Sequence, residues 1–268
     1  YVAPSVWAWR PERAAKMARN VDQVLCLLPF EPPFMQAQGM RADFVGHPVT
    51  TEPVATQNDV TEFKITNGLS DTYPLILMLP GSRRGEVDRL MPIFGKALSL
   101  VQIHHPNARI VLPTVPHLHE RVSQLAKPWK TQPIILTADG DDGAMRKRAA
   151  FVAADAALAA SGTVSLELAA AATPMVIAYD MNWLSRRIIA AKLQVDTVTL
   201  VNLVSETRDI PEFLGEACTP EKIAAAMIEV LSDPSRQKNA MAVTMERLGR
   251  GQTPPGLRAA QAVLDGLK

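Results

Sequence analysis

Arg83 and Arg84 stand directly behind an apolar run in the stretch LMLPGSRRGEVDRL, Leu77 to Leu90, with Gly81 and Ser82 just before them. The run itself, Tyr73 to Leu79, has the length and apolarity of a short buried strand, and Val87, Leu90, Met91, Phe94 and Leu98 recur at helical spacing. Gly81 to Glu86 is therefore a strand-to-helix turn. Such a turn aims backbone amides and the positive end of a helix dipole at one point, and Gly81 lets the backbone approach a ligand closely. Arg83 and Arg84 add fork-shaped donors, so the chemistry this turn suits is the holding of an anion. The same residues also fit a plain surface turn capped by Ser82, with the arginines in solvent. Neither G-x-x-x-x-G-K-[ST] nor G-x-G-x-x-G is spelled here, which argues against kinase and dehydrogenase chemistry.

A second turn lies in ADAALAASGTVSLELAAAATPMVIAY. A strand ends at Ala159-Ala160, Ser161-Gly162-Thr163 turn the chain, and a helix follows with Glu167 about one turn in. This again presents a helix start at the carboxyl end of a strand, where open α/β sheets bind their ligands. The Ser161 and Thr163 hydroxyls with backbone amides suit a diphosphate, and Glu167 can accept from ribose hydroxyls; a capped helix whose Glu167 merely favours the dipole is the alternative. A third candidate is the polar loop VNLVSETRDIPEFLG, Val201 to Gly215, where Asn202 offers donor and acceptor to sugar hydroxyls and Glu206, Arg208 and Glu212 lie close by. An ordinary surface loop explains it equally well. His47, in GHP, reads as a general base, a phosphate donor or a structural turn histidine. His104, His105, His117 and His119 show no metal-ligand spacing, and no metal or cofactor is expected.

The elements that would carry these turns alternate. Strand-like runs at Leu75–Leu79, Ile110–Pro113, Ile134–Thr137, Ala156–Ala159 and Met175–Ala178, separated by helical patterns, predict a five-stranded Rossmann-like parallel sheet with helices on both faces. Upstream, Leu25–Leu28 and Phe44–Val49 read as strands around a loop with Pro29, Pro32 and Pro33. The polar stretch Thr50–Asn58 marks a boundary. The tail from Pro220 is helical, with start signals at Pro220-Glu221 and Asp233-Pro234-Ser235 and a hinge-like break at Gly249–Gly256. The expected division is 1–52, 53–248 and 249–268.

Composition narrows the class. The 268 residues are 47% hydrophobic, and 28 Lys+Arg against 27 Asp+Glu give a formal charge of +1, so the electrostatic footprint of a nucleic-acid binder is missing. Two cysteines, Cys26 and Cys218, make no disulfide framework. Asp155, Glu167 and Pro174 interrupt the longest apolar stretches, so neither a membrane span nor a signal peptide is expected. Tyr1, Trp7 and Trp9 crowd the start, unlike a frayed terminus, and the sequence reads as a piece of a longer chain. Met181, Trp183, Leu184 and Ile188 beside Arg186, Arg187 and Lys192 form an amphipathic stretch, either of membrane-interface type or a buried helix with snorkelling arginines.

Taken in order, YVAPSVWAWRPERAAKMARNVDQVLCLLPFEPPF, FVGHPV, LPGSRRGEV, SGTVSLELA, PMVIAYDMNWLS and VNLV…IPEFLG resemble the lipid-A-disaccharide synthases, inverting glycosyltransferases of the GT-B type. The resemblance implies two Rossmann-like domains, with the C-terminal one gripping the nucleotide. Residues 53–248 would be that domain, and residues 1–52 the last part of its partner. It implies transfer of 2,3-diacylglucosamine from UDP to 2,3-diacylglucosamine 1-phosphate without a metal. Arg83 and Asn202 would be catalytic, and Gly81, Ser82, Arg83, Ser161, Gly162, Thr163, Glu167, Asn202 and Glu212 would hold the UDP-sugar. His47 and Arg84 would serve the acceptor or the structure. It further implies a peripheral place on the cytoplasmic face of the bacterial inner membrane, and a homodimer that exchanges C-terminal segments. Gly215 departs from the glutamine many relatives carry there. The glycine-rich first loop and the acidic base of the family would lie upstream of Tyr1, so the chain by itself is expected to be inactive. Another GT-B enzyme acting on UDP-N-acetylglucosamine, a transferase or an epimerase, and a non-catalytic UDP-sugar module are the competing readings.

Overall fold

The computed structural model describes residues 1–181 and 194–267. The amphipathic stretch with Trp183, Leu184, Arg186, Arg187, Ile188 and Lys192 lies outside the described residues.

The first fifty residues form a small parallel pair, β1 (Gln23–Cys26) and β2 (Arg41–Phe44), with the short helices α1 (Glu12–Met17) and α2 (Pro32–Gln36). The proline-rich loop read from sequence is thus partly helical: Pro32 opens α2 at a position where its fixed φ fits and no amide is needed. The strand expected at Phe44–Val49 lies earlier, because Gly46 turns at φ +87° and Pro48–Thr50 form a 3-10 turn. Val6, Ala14, Val24, Cys26, Met35 and Ala42 pack into this unit's own core. Burial pushes the Cys26 thiol up to about 12, so it stays protonated and serves as a small apolar side chain.

Glu31 is the polar exception in this unit. Only 4% exposed, its carboxylate accepts from the Leu27 and Leu28 amides, both at 3.0 Å. Desolvation raises its pKa above the ordinary 4.5, and the two amides oppose that shift. The folded state therefore binds this proton more tightly than the unfolded one, and stability falls as pH rises through the window above 4.5. Glu31→Ala leaves the buried Leu28 amide and the half-buried Leu27 amide without an acceptor and is expected to cost about 2–3 kcal/mol. Glu31→Gln keeps an acceptor, should cost under about 1 kcal/mol, and should flatten that pH slope. Chemical denaturation at several pH values checks both; equal losses for Ala and Gln would contradict the assignment.

Beyond α3 (Gln57–Thr66) comes a six-stranded parallel sheet. In chain order its elements are β3 (Leu75–Leu79), α4 (Arg84–His104), β4 (Arg109–Thr114), α5 (His119–Ala126), β5 (Ile134–Thr137) and α6 (Gly140–Ala153). They continue as β6 (Ala156–Ala159), α7 (Val164–Ala170), β7 (Met175–Tyr179), α8 (Leu200–Ser205) and β8 (Glu212–Leu214). Spatial order is β5-β4-β3-β6-β7-β8, so the winding direction reverses between β3 and β6. A ligand crevice belongs there, outside the carboxyl ends of those two strands.

Helices cover both faces. Leu75, Leu77 and Leu79 meet Phe63 of α3, Ala150 of α6 and Leu166 of α7 on one side. Ile76 and Met78 meet Leu90 and Phe94 of α4 on the other, together with Ile223 and Met227 of α9 (Pro220–Ser232). With every residue of β3 buried, the strand reads as a continuous apolar run. The sixth strand escaped the sequence reading because Glu212–Leu214 is a half-buried three-residue edge inside a polar segment.

After α10 (Ser235–Arg247) the chain turns through Gly249 and Gly251, both at positive φ, into α11 (Pro255–Gly266). This last helix returns to the first unit: Ala262 packs on Leu25 and Val45, and its carbonyl accepts from Gln23 Nε2 at 2.9 Å. Arg258 donates to the Phe44 carbonyl at 2.9 Å and lies 5.1 Å from that ring's centre. Among the described residues no helix is long and apolar enough to cross a membrane.

Candidate functional site

The pairing of β3 with β6 runs to its very end, with Leu79 opposite Ala159 and the Ala160 amide donating to the Leu79 carbonyl at 2.8 Å. The two turns singled out in the sequence therefore leave the sheet side by side. They line one cleft of about 460 Å³, Gly81, Ser82 and Arg83 from the first and Ser161, Gly162 and Thr163 from the second. Lys147 and Glu167 line it too, and both also line an adjoining hollow of about 380 Å³ between α6, α7 and Glu52–Ala55.

Glycine is required at both turns. Gly81 sits at φ +104°, and a Cβ there would meet Glu86 Oε2 at 2.5 Å and Glu86 Cβ at 2.9 Å. Gly162 sits at φ +147°. The amides of Ser82, Gly162 and Thr163, and the hydroxyls of Ser82, Ser161 and Thr163, make no hydrogen bond among the described residues. Two loops thus bring residues with uncommitted donors to one cleft, which is the equipment for an anion.

The charges are matched in pairs. Arg83, its side chain 83% exposed, donates to Glu86 Oε1 at 3.1 Å. Tyr179, at the end of β7, donates to the same oxygen at 3.4 Å. Burial, with Glu86 alongside, raises the Tyr179 pKa, so it remains a protonated donor. Lys147 donates to Glu167 Oε2 at 2.7 Å. Arg84 points elsewhere, pairing with Asp88 at 3.7 Å, and does not line the cleft.

Neither Asn202, in α8, nor Glu212, in β8, lines the cleft where they were expected; their side-chain polar atoms bond within the segment Thr197 to Glu212. Asn202 is 1% exposed; its amide donates to the Ile210 carbonyl at 2.9 Å and to Thr197 Oγ1 at 3.3 Å, and accepts from the Ile210 amide at 3.0 Å. Glu212 accepts from Thr199 Oγ1 at 2.6 Å and from the Val198 amide at 3.0 Å, bracing the approach to α8. Glu206 and Arg208 are engaged with Arg247 and Asp196. His47 takes the turn role: Nδ1 accepts from the Val49 amide at 3.1 Å, and burial lowers its pKa so that the ring stays neutral. Among the described residues no three His, Cys, Asp or Glu side chains are grouped to hold a metal ion.

Sequence reasoning missed Glu86, Tyr179, Lys147 and Thr114. Thr114, at the end of β4, lines the cleft and has a buried hydroxyl with no partner among the described residues. Glu86 was within reach of pattern, three residues after Arg83 at the start of a helix. Lys147 was hidden in the run Arg146-Lys147-Arg148, where only the phase of α6 decides which cation faces the site.

Solved structures share this architecture. A UDP-N-acetylglucosamine 2-epimerase from Neisseria meningitidis, solved with UDP-N-acetylglucosamine, aligns with TM-score 0.59 and 13% identity over 91% of this chain and 61% of that one. WaaG, a glycosyltransferase involved in lipopolysaccharide biosynthesis, aligns with TM-score 0.54 and 15% identity over 90% and 61%. The class is thereby fixed as an α/β protein of the GT-B type, with the cleft at the switch point of its larger sheet.

The sequence decides the family. The family model for lipid-A-disaccharide synthetase matches residues 1–264, and the chain belongs to that family. A lipid-A-disaccharide synthase of Ruegeria pomeroyi is 61% identical over 270 residues, covering 100% of this chain and 67% of that protein. One from Rhodospirillum centenum is 44% identical, covering 99% and 65%. The chain spans about two thirds of the length of these relatives.

Proposed function

We propose that this chain carries the nucleotide-sugar half of a lipid-A-disaccharide synthase, and that the cleft between Gly81–Arg83 and Ser161–Thr163 holds the diphosphate of UDP-2,3-diacylglucosamine. The observation that carries this is the pair of turns meeting at one switch point with their donors uncommitted. In the reaction the bond from the sugar's anomeric carbon to the diphosphate oxygen breaks. A bond forms to the 6-hydroxyl oxygen of 2,3-diacylglucosamine 1-phosphate, whose proton passes to a base. Charge then builds on the departing UDP. Fixed amides and the Arg83 guanidinium would stabilise that charge in the role a divalent ion fills elsewhere. Arg83 can swing from Glu86 to the ligand at little cost, because an exposed pair of this kind is worth only a few tenths of a kcal/mol. Glu167 would take the ribose hydroxyls.

Both substrates carry acyl chains, which supports a peripheral place at the inner face of the bacterial inner membrane. A dimer that exchanges its C-terminal segments would use the turn at Gly249–Gly251. Both belong to this reading and rest on the family resemblance.

The test is UDP release by this chain extended to the length of its relatives. Release should require both UDP-2,3-diacylglucosamine and the acylated acceptor. Turnover of UDP-N-acetylglucosamine without acceptor would favour an epimerase, and tight UDP binding with no transfer would favour a binding module.

A further inference from the structure

Glu167 presents a difficulty for any site that takes a diphosphate. Its carboxylate lines the same cleft as the two donor turns, where its charge would repel the ligand. The structure answers with Lys147. The ammonium lies 2.7 Å from Glu167 Oε2 and 5.1 Å from the centre of the Phe151 ring, one helical turn further along α6. Ring and carboxylate together hold a side chain that would otherwise sample many rotamers. Glu167 Oε1 makes no hydrogen bond among the described residues, so one oxygen is tied and the other is open. Both residues stand where the cleft joins the adjoining hollow, so a ligand reaching from one into the other passes the pair.

We propose that Lys147 is a positioning residue for the nucleotide: by pairing with Glu167 it neutralises that carboxylate beside the diphosphate, so that the ligand's charge can sit in the cleft. The inference rests on the reading of the cleft as a UDP-sugar site. It gives Lys147 an electrostatic task that depends on the ligand's charge. UDP, carrying the diphosphate, should feel the loss of Lys147 strongly, whereas uncharged uridine should not.

Calorimetric titration of the chain with UDP and with uridine tests this, on the parent, Lys147→Met, Lys147→Arg and the double variant Lys147→Met/Glu167→Gln, each with a thermal melt to confirm folding. Lys147→Met should weaken UDP binding at least tenfold and uridine binding less than twofold. Lys147→Arg should stay within about threefold of the parent. The double variant should regain most of the UDP affinity, because it removes the repelling charge along with its partner. UDP binding by Lys147→Met within twofold of the parent would overturn the proposal. So would an equal loss for uridine, which would mark a purely structural role. A parent chain that binds no UDP would overturn the reading of the cleft itself, a result distinct from either.

Discussion

Replacing Arg83 by alanine should weaken UDP binding by about 2–3 kcal/mol, a roughly 30- to 150-fold rise in Kd, while leaving the melting temperature unchanged. The size is that of a charge-assisted contact to a diphosphate in a cleft where the other lining cation, Lys147, is already paired with Glu167. The silence in the melt follows from its surroundings. The side chain is 83% exposed, and its ion pair among the described residues, to Glu86, is a weak contact three residues along a helix. Arg83→Lys should recover only part of the loss, because a lysine offers a point charge where the planar fork bonds two oxygens at once. Titration calorimetry beside a thermal melt checks all three. A variant that melts early and binds normally would place Arg83 in the scaffold.

Asn202→Ala should produce the mirror image, a stability loss of about 3–4 kcal/mol with UDP affinity little changed where the protein stays folded. The residue is 1% exposed and bonds both the amide and the carbonyl of Ile210, which is itself 1% exposed. Truncation strands two buried backbone groups and opens a cavity. For a chain of this size that corresponds to a fall in melting temperature on the order of 10 °C. Asn202→Asp should fare poorly as well, since a carboxylate has no proton for the Ile210 carbonyl. Unchanged melting with weakened UDP binding would return Asn202 to the ligand site.

These two residues mark where the sequence was informative. The turns after β3 and β6 could be read because their strands are buried on both faces and so appear as unbroken apolar runs ending in Gly and small polar residues. That pattern makes five of the six strands legible and puts the two turns at strand ends; the strand order that brings the turns together is not written in it. An asparagine in a polar segment has the same look in sequence whether it holds a sugar or staples its own backbone. The difference lies in Ile210 folding back onto it, eight residues away, which no local pattern encodes. β8 failed for a related reason: a short edge strand needs little apolar content and leaves little trace. Lys147 was lost in a cluster of like charges, and Thr114 in the last position of a strand.

Two strand-end turns are expected to bind a pyrophosphate with no divalent ion. A crystal structure of the chain with UDP, grown in the presence of a chelator, measures it directly. Diphosphate oxygens should lie within hydrogen-bond distance of the amides of Ser82, Gly162 and Thr163, with the Arg83 guanidinium on the same group. UDP bound outside this cleft, or seated there only once a divalent cation is added back, would contradict it.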